Sequence, residues 1–183
     1  VYDLSSGISD GMNASFVIGQ PDFTSTALST TQSGFSFPVN VYYESDTERL
    51  FVSDYNNYRL MVFDLSAGIT NGMSASNIIG QLDFVTLDPA TTMNGLNQPG
   101  AVTYDESTKW LFVTDQLNRR VLIYDLASGV TDGMNATYVL GQPDFLSAIS
   151  SVSQGTYAGI TPMKAEYDHS QRRMYLSDVA DNR

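Results

Sequence analysis

Trp110-Leu111-Phe112-Val113-Thr114-Asp115-Gln116-Leu117-Asn118-Arg119-Arg120-Val121-Leu122-Ile123-Tyr124-Asp125 alternates short apolar runs with a polar turn. Trp110 to Thr114 and Val121 to Tyr124 are rich in β-branched and aromatic residues, which fit a pleated, half-buried surface. Gln116-Leu117-Asn118 breaks the run between them. Upstream, Ala101 to Tyr104 is a further candidate strand, closed by the polar turn Asp105-Glu106-Ser107-Thr108-Lys109. Downstream, Tyr138 to Leu140 is a fourth. No window sustains a 3.6-residue period over ten or more positions, so a helical reading fails.

The same pattern returns on both sides. Phe63-Asp64-Leu65 stands 61 residues after Tyr2-Asp3-Leu4 and 61 before Tyr124-Asp125-Leu126. Gly19-Gln20-Pro21-Asp22-Phe23 recurs as Gly80-Gln81-Leu82-Asp83-Phe84 and Gly141-Gln142-Pro143-Asp144-Phe145, at the same interval. Leu50-Phe51-Val52-Ser53-Asp54 becomes Leu111-Phe112-Val113-Thr114-Asp115 and, 63 residues on, Met174-Tyr175-Leu176-Ser177-Asp178. Several pentapeptides in one register establish three repeats, about 1–61, 62–122 and 123–183 by period. Four short antiparallel strands at a fixed period make an all-β blade that cannot bury both faces alone, so neighbouring blades must stack.

Each repeat also carries Asp followed five residues later by Arg: Asp54 and Arg59, Asp115 and Arg120, Asp178 and Arg183. An Asn stands in the turn at Asn57, Asn118 and Asn182, and a Pro precedes the first strand at Pro38, Pro99 and Pro162. With the apolar run Arg120-Val121-Leu122-Ile123-Tyr124-Asp125, these features make the repeats resemble NHL-type β-propeller blades. The resemblance implies blades of four antiparallel strands belonging to a larger or multi-chain propeller, since propellers have about four to eight blades. The repeats exceed the usual blade length of about 40 to 45 residues. The extra residues lie between third and fourth strands (127–136) and between Phe145 and Pro162. Long connections of a repeat gather on one face and carry function, so a ligand is expected there.

The first and last repeats are cut in phase: Val1 aligns with Val62 and Ile123, and Arg183 with Arg59 and Arg120. The sequence is therefore expected to be a window from a longer repetitive protein, or one of several copies completing one assembly. It starts without an initiator Met or a signal peptide, so any targeting segment is expected outside it.

Composition narrows the function. Nine Lys and Arg against 20 Asp and Glu give a net charge of −11. Phosphate neutralisation needs clustered basic residues, so neither nucleic acid nor an anionic membrane is an expected partner. No apolar run approaches the roughly 18 residues that span a bilayer, and no membrane insertion is expected. The chain has no cysteine, which removes disulfides, thiolate metal sites and cysteine nucleophiles.

Individual motifs read as structural because they recur. A catalytic site is unique, whereas the Asp–Arg pair stands in every repeat and is expected to lock the turn between second and third strands. In the Gly-Gln-Pro/Leu-Asp-Phe run, Phe is expected to anchor the exit loop and Asp to cap a turn. His169, the single histidine, falls in a polar turn; the NHL-type lyases that this fold resembles hold a metal with several histidines near the axis, which one outer-turn His cannot supply. Ser9-Asp10-Gly11-Met12 and Thr131-Asp132-Gly133-Met134 are weak calcium candidates through Asp10 and Asp132, because calcium takes about six to eight oxygens and these loops offer part of a shell. Asn13-Ala14-Ser15 and Asn135-Ala136-Thr137 are glycosylation sequons at Asn13 and Asn135.

No catalytic residue and no cofactor are expected. The sequence reads as a non-catalytic extracellular or cell-surface scaffold or interaction module, binding protein or glycan and self-associating as a repeat subunit of a polymeric assembly or filament. The alternatives are a propeller enzyme, an NHL-type lyase or hydrolase with catalytic residues outside this segment, and the binding domain of an intracellular NHL protein, whose RNA-binding form the acidity opposes.

Overall fold

The computed structural model describes residues 1–151, 153–156, 164–178 and 182. Pro162 and Arg183 lie outside the described residues, so nothing is said of that proline or of the third Asp–Arg pair beyond Asp178.

Two repeats form complete antiparallel sheets. β1 (Pro38–Glu44), β2 (Arg49–Asp54), β3 (Arg59–Asp64) and β4 (Asn77–Ile79) lie in the order β1-β2-β3-β4. β5 (Pro99–Asp105), β6 (Trp110–Asp115), β7 (Arg120–Asp125) and β8 (Tyr138–Leu140) repeat that order. The register repeats too, with Asp54 opposite Arg59 and Asp115 opposite Arg120. β9 (Lys164–Asp168) and β10 (Arg173–Ser177) form a two-stranded sheet at the first and second strand positions of a third unit.

The strands run a residue or two beyond the apolar stretches because the flanking Asp and Arg take part in the ladder. Tight turns close them at fixed points. Glu48, Lys109 and Arg172 hold the left-handed conformation after the first strand of each unit, as do Tyr58 and Arg119 after the second. Such φ values in non-glycine residues are uncommon, and their recurrence at matching positions marks a demand of the turn.

Residues 1–37 form no strand, although they carry third- and fourth-strand positions. The backbone bond from Ser15 N–H to Val1 C=O, 2.8 Å, is nevertheless the counterpart of Ser76 to Val62 and Thr137 to Ile123. A pair of strands without a sheet to extend is marginal.

The core is the set of seams between units. Phe35, Met61 and Phe63 pack with Ile18 and Met73, joining the N-terminal stretch to the first sheet. Phe51, Leu60, Val102, Tyr104, Leu111 and Leu122 fill the space between the two sheets. Phe112, Val121 and Ile123 meet Tyr167 from β9. First strands pack on first strands, β1 against β5 and β5 against β9. Among the described residues no helix is long and apolar enough to cross a membrane.

Candidate functional site

The Asp–Arg pair builds the most buried polar centre in each complete unit. Cross-strand register brings Arg59 Nε to 2.8 Å from Asp54 Oδ2, and Asn57 Nδ2 donates to the same oxygen. Both side chains of the pair are fully buried. The guanidinium then turns outward onto the loops: Arg59 donates to the carbonyls of Thr30, Thr31, Gly34 and Phe84. Arg120 repeats this with Asp115 at 2.7 Å and with the carbonyls of Thr92, Gly95 and Phe145. A planar fork with five donors suits such a hub, since a buried cation needs every proton satisfied. Ser36 N–H and Asn97 N–H close the free carboxylate oxygens of Asp54 and Asp115. Burial pushes Asp115 up to about 6, against the pull of Arg120, Asn118 and Asn97, and raises Asp54 as well. The hub therefore fixes the loop entering its sheet and the loop leaving it, as well as the turn between its strands.

The Gly-Gln-Pro/Leu-Asp-Phe run belongs to the same device. Gln20, Gln81 and Gln142 donate to the carbonyls of Ala27, Asp88 and Ile149, each seven residues on. Asp22, Asp83 and Asp144 accept from the backbone of Thr24, Val85 and Leu146. The Thr24 hydroxyl, then the Thr24 backbone N–H and the Ser25 hydroxyl and N–H, pull Asp22 down to about 2. At Gly80 a Cβ would stand 2.6 Å from Leu96 Cδ1 and 2.9 Å from the Tyr58 carbonyl, which explains the glycine.

The second device joins units. Asp132 Oδ1 accepts from the N–H of Ile78 at 3.0 Å and from Asn77 Nδ2, while Gly133 N–H donates to Ile78 C=O. One unit earlier, Asn71 Oδ1 accepts from Val17 N–H and Gly72 N–H donates to Val17 C=O. The connections between third and fourth strands of the two sheets thus both clasp the fourth-strand position of the preceding unit by an acceptor side chain and a glycine amide. The weak calcium candidate Asp132 is committed to this clasp. Asp10 is exposed, and among the described residues no group of three or more His, Cys, Asp or Glu could hold a metal ion. An Asx followed by a glycine at the same phase in all three repeats is the mark that this contact leaves in the sequence.

Asn13 and Asn135 are exposed. The hydroxyls of their sequons serve the backbone: Ser15 accepts from Asp3 N–H and Thr137 from Asp125 N–H. Ser76 does the same for Asp64 without a sequon. The hydroxyl is a fold requirement; the asparagines are not explained by it. His169 sits in the β9–β10 turn, 53% exposed, with Nδ1 3.6 Å from Asp105 Oδ1.

An apolar cleft of about 410 Å³ opens where the first strands converge, lined by Phe37, Val39, Tyr55, Gln116 and Lys164 among others. Its size suits a small ligand. Lys164 is the one charged group among its described lining residues. No family model matches the chain, and no curated protein matches it.

Proposed function

We propose that the chain is a stretch of NHL-like β-propeller acting as a non-catalytic scaffold or interaction module outside the cell or on its surface. In this reading the sheets are blades, the partners are protein or glycan, and the units associate into a ring, filament or other polymeric assembly. The observation that carries it is the seam. Consecutive units meet twice through the same Asx–Gly clasp, and the buried ion pairs are spent on holding loops. Chemistry repeated at every unit serves construction, whereas a catalytic centre is built once. The exposed sequon asparagines fit the proposed location.

Negative-stain electron microscopy of purified protein tests this reading. Rings or fibres are expected. Particles that stay the size of one 20.0 kDa chain at every concentration would contradict the assembly.

A further inference from the structure

Repeated residues hold the fold together, and the seam between the two sheets also carries polar residues that break the repeat. Arg49 and Asn77 stand where the second sheet has Trp110 and Tyr138, 61 residues on. There the two rings pack edge to face at 5.4 Å. In the first sheet no aromatic pair fills that place, and a cleft of about 250 Å³ opens beside Arg49 and Asn77. Strand pairing decides its lining, because directly opposed residues and alternate residues along a strand share a face. Arg49 lies opposite Asp64, and Val62 opposite both Phe51 and Asn77. All of these side chains therefore occupy the face that meets the second sheet. Phe51 and Val62 are buried in the core between the sheets, while Arg49, Asp64 and Asn77 form its rim. Val130, from the connection after β7, makes the facing wall.

The rim is held in place with its outer atoms free. Arg49 Nε donates to Glu44 Oε2 at 3.0 Å, and the guanidinium lies 5.5 Å from the centre of the Phe51 ring. Its side chain is only 14% exposed, yet neither terminal nitrogen has a hydrogen-bond partner among the described residues. Asn77 Nδ2 donates to Asp132 Oδ1, which can only accept, so Asn77 Oδ1 faces away from it. Ser66 N–H takes Asp64 Oδ1 and leaves Oδ2 open. Ser76 Oγ accepts from Asp64 N–H and keeps its own proton to give. Charge then selects the ligand. Arg49 is already opposed by Glu44 and Asp64, so an anion gains little, and a cation meets the guanidinium. A hydroxyl suits both kinds of edge, because it donates and accepts at once.

We infer that this cleft binds one ring of a neutral sugar. Neighbouring hydroxyls donate to Asp64 Oδ2 and Asn77 Oδ1 and accept from the Arg49 fork and Ser76 Oγ. The C–H face of the ring lies against Val62 and Val130. The volume, below the roughly 300–1,000 Å³ of larger-ligand sites, suits a single ring. This deepens the glycan-binding part of the reading above and rests on it.

Saturation-transfer NMR on the full chain, read on D-glucose, D-galactose and D-mannose in turn, tests this in any state of assembly. At least one sugar is expected to bind saturably with a dissociation constant of about millimolar, the strength that about a dozen heavy atoms allow. Arg49→Trp combined with Asn77→Tyr copies the pair that the second sheet accommodates and fills the cleft. Circular dichroism checks that the sheet is kept, and affinity should fall at least about tenfold. Asp64→Asn keeps the size, removes the charged acceptor and should weaken binding severalfold. Saturable binding of acetate but of none of the sugars would overturn the ligand class. Sugar binding untouched by these substitutions would overturn the site while leaving the glycan reading standing. No binding of any sugar would overturn the site, and rings or fibres seen beside that result would leave the scaffold reading intact.

Discussion

β5 and β1 hold the same place in consecutive sheets and are built from similar residues, yet β5 is buried at all seven positions and β1 at one. Val102 is 5% exposed and its counterpart Val41 63%. The difference lies in the neighbours. β5 is covered by β1 and by β9, with Asn40 Oδ1 accepting from Val102 N–H and Tyr42 packing on Tyr104 at 6.4 Å. In a stacked repeat, burial is a property of the seam, and a strand becomes core only when the next unit arrives.

The arginine hubs should escape this rule, because each closes on its own loops. Arg59→Ala and Arg120→Ala are expected to cost alike, about 3–5 kcal/mol each, by stranding a buried carboxylate and several carbonyls. Urea unfolding followed by circular dichroism checks this; a much milder loss in one sheet would make the hubs dependent on the seam.

The acid half of the hub sharpens the point through pH. Asp115 is held near 6, above its ordinary value, so the stability it contributes is full below about pH 4 and is lost as pH rises through 6. Unfolding free energy of the wild type relative to Asp115→Asn should fall by at most about 3 kcal/mol over that window. A rise over the same window would reverse the assignment.

The strand comparison itself breaks at single side chains. Val102→Ala should cost about 2 kcal/mol and Val41→Ala less than about 0.5 in the monomer. Equal costs would mean that β1 is covered as well as β5. An effect of the opposite sign is expected at Tyr124, whose fully buried hydroxyl finds no partner among the described residues while its counterpart is Phe63. Tyr124→Phe should leave stability unchanged or raise it by about 1 kcal/mol, read from the melting temperature.

Much of the architecture was legible because it is local. Apolar runs bounded by turns located the strands of the middle unit to within one or two residues, and a spacing of five put Asp115 across the ladder from Arg120. What stayed hidden is what joins distant positions. Arg59 reaches the carbonyls of Thr30 and Phe84, which no periodicity announces. Asp132 spans 54 residues to Ile78, and its Asp-Gly dipeptide alone reads as an ordinary turn. Burial was the least legible of all, since Val41 and Val102 sit in similar words of sequence and differ only in what lies beyond them.

The central claim is that one clasp, filled twice, orders the units. Amide hydrogen exchange by NMR addresses it directly at Val17 and Ile78. The amides of Val17 and Ile78 should be protected, that of Val17 losing its protection in Asn71→Ala and that of Ile78 in Asp132→Ala. Fast exchange at both positions in the unsubstituted chain, or protection unchanged by either substitution, would contradict it.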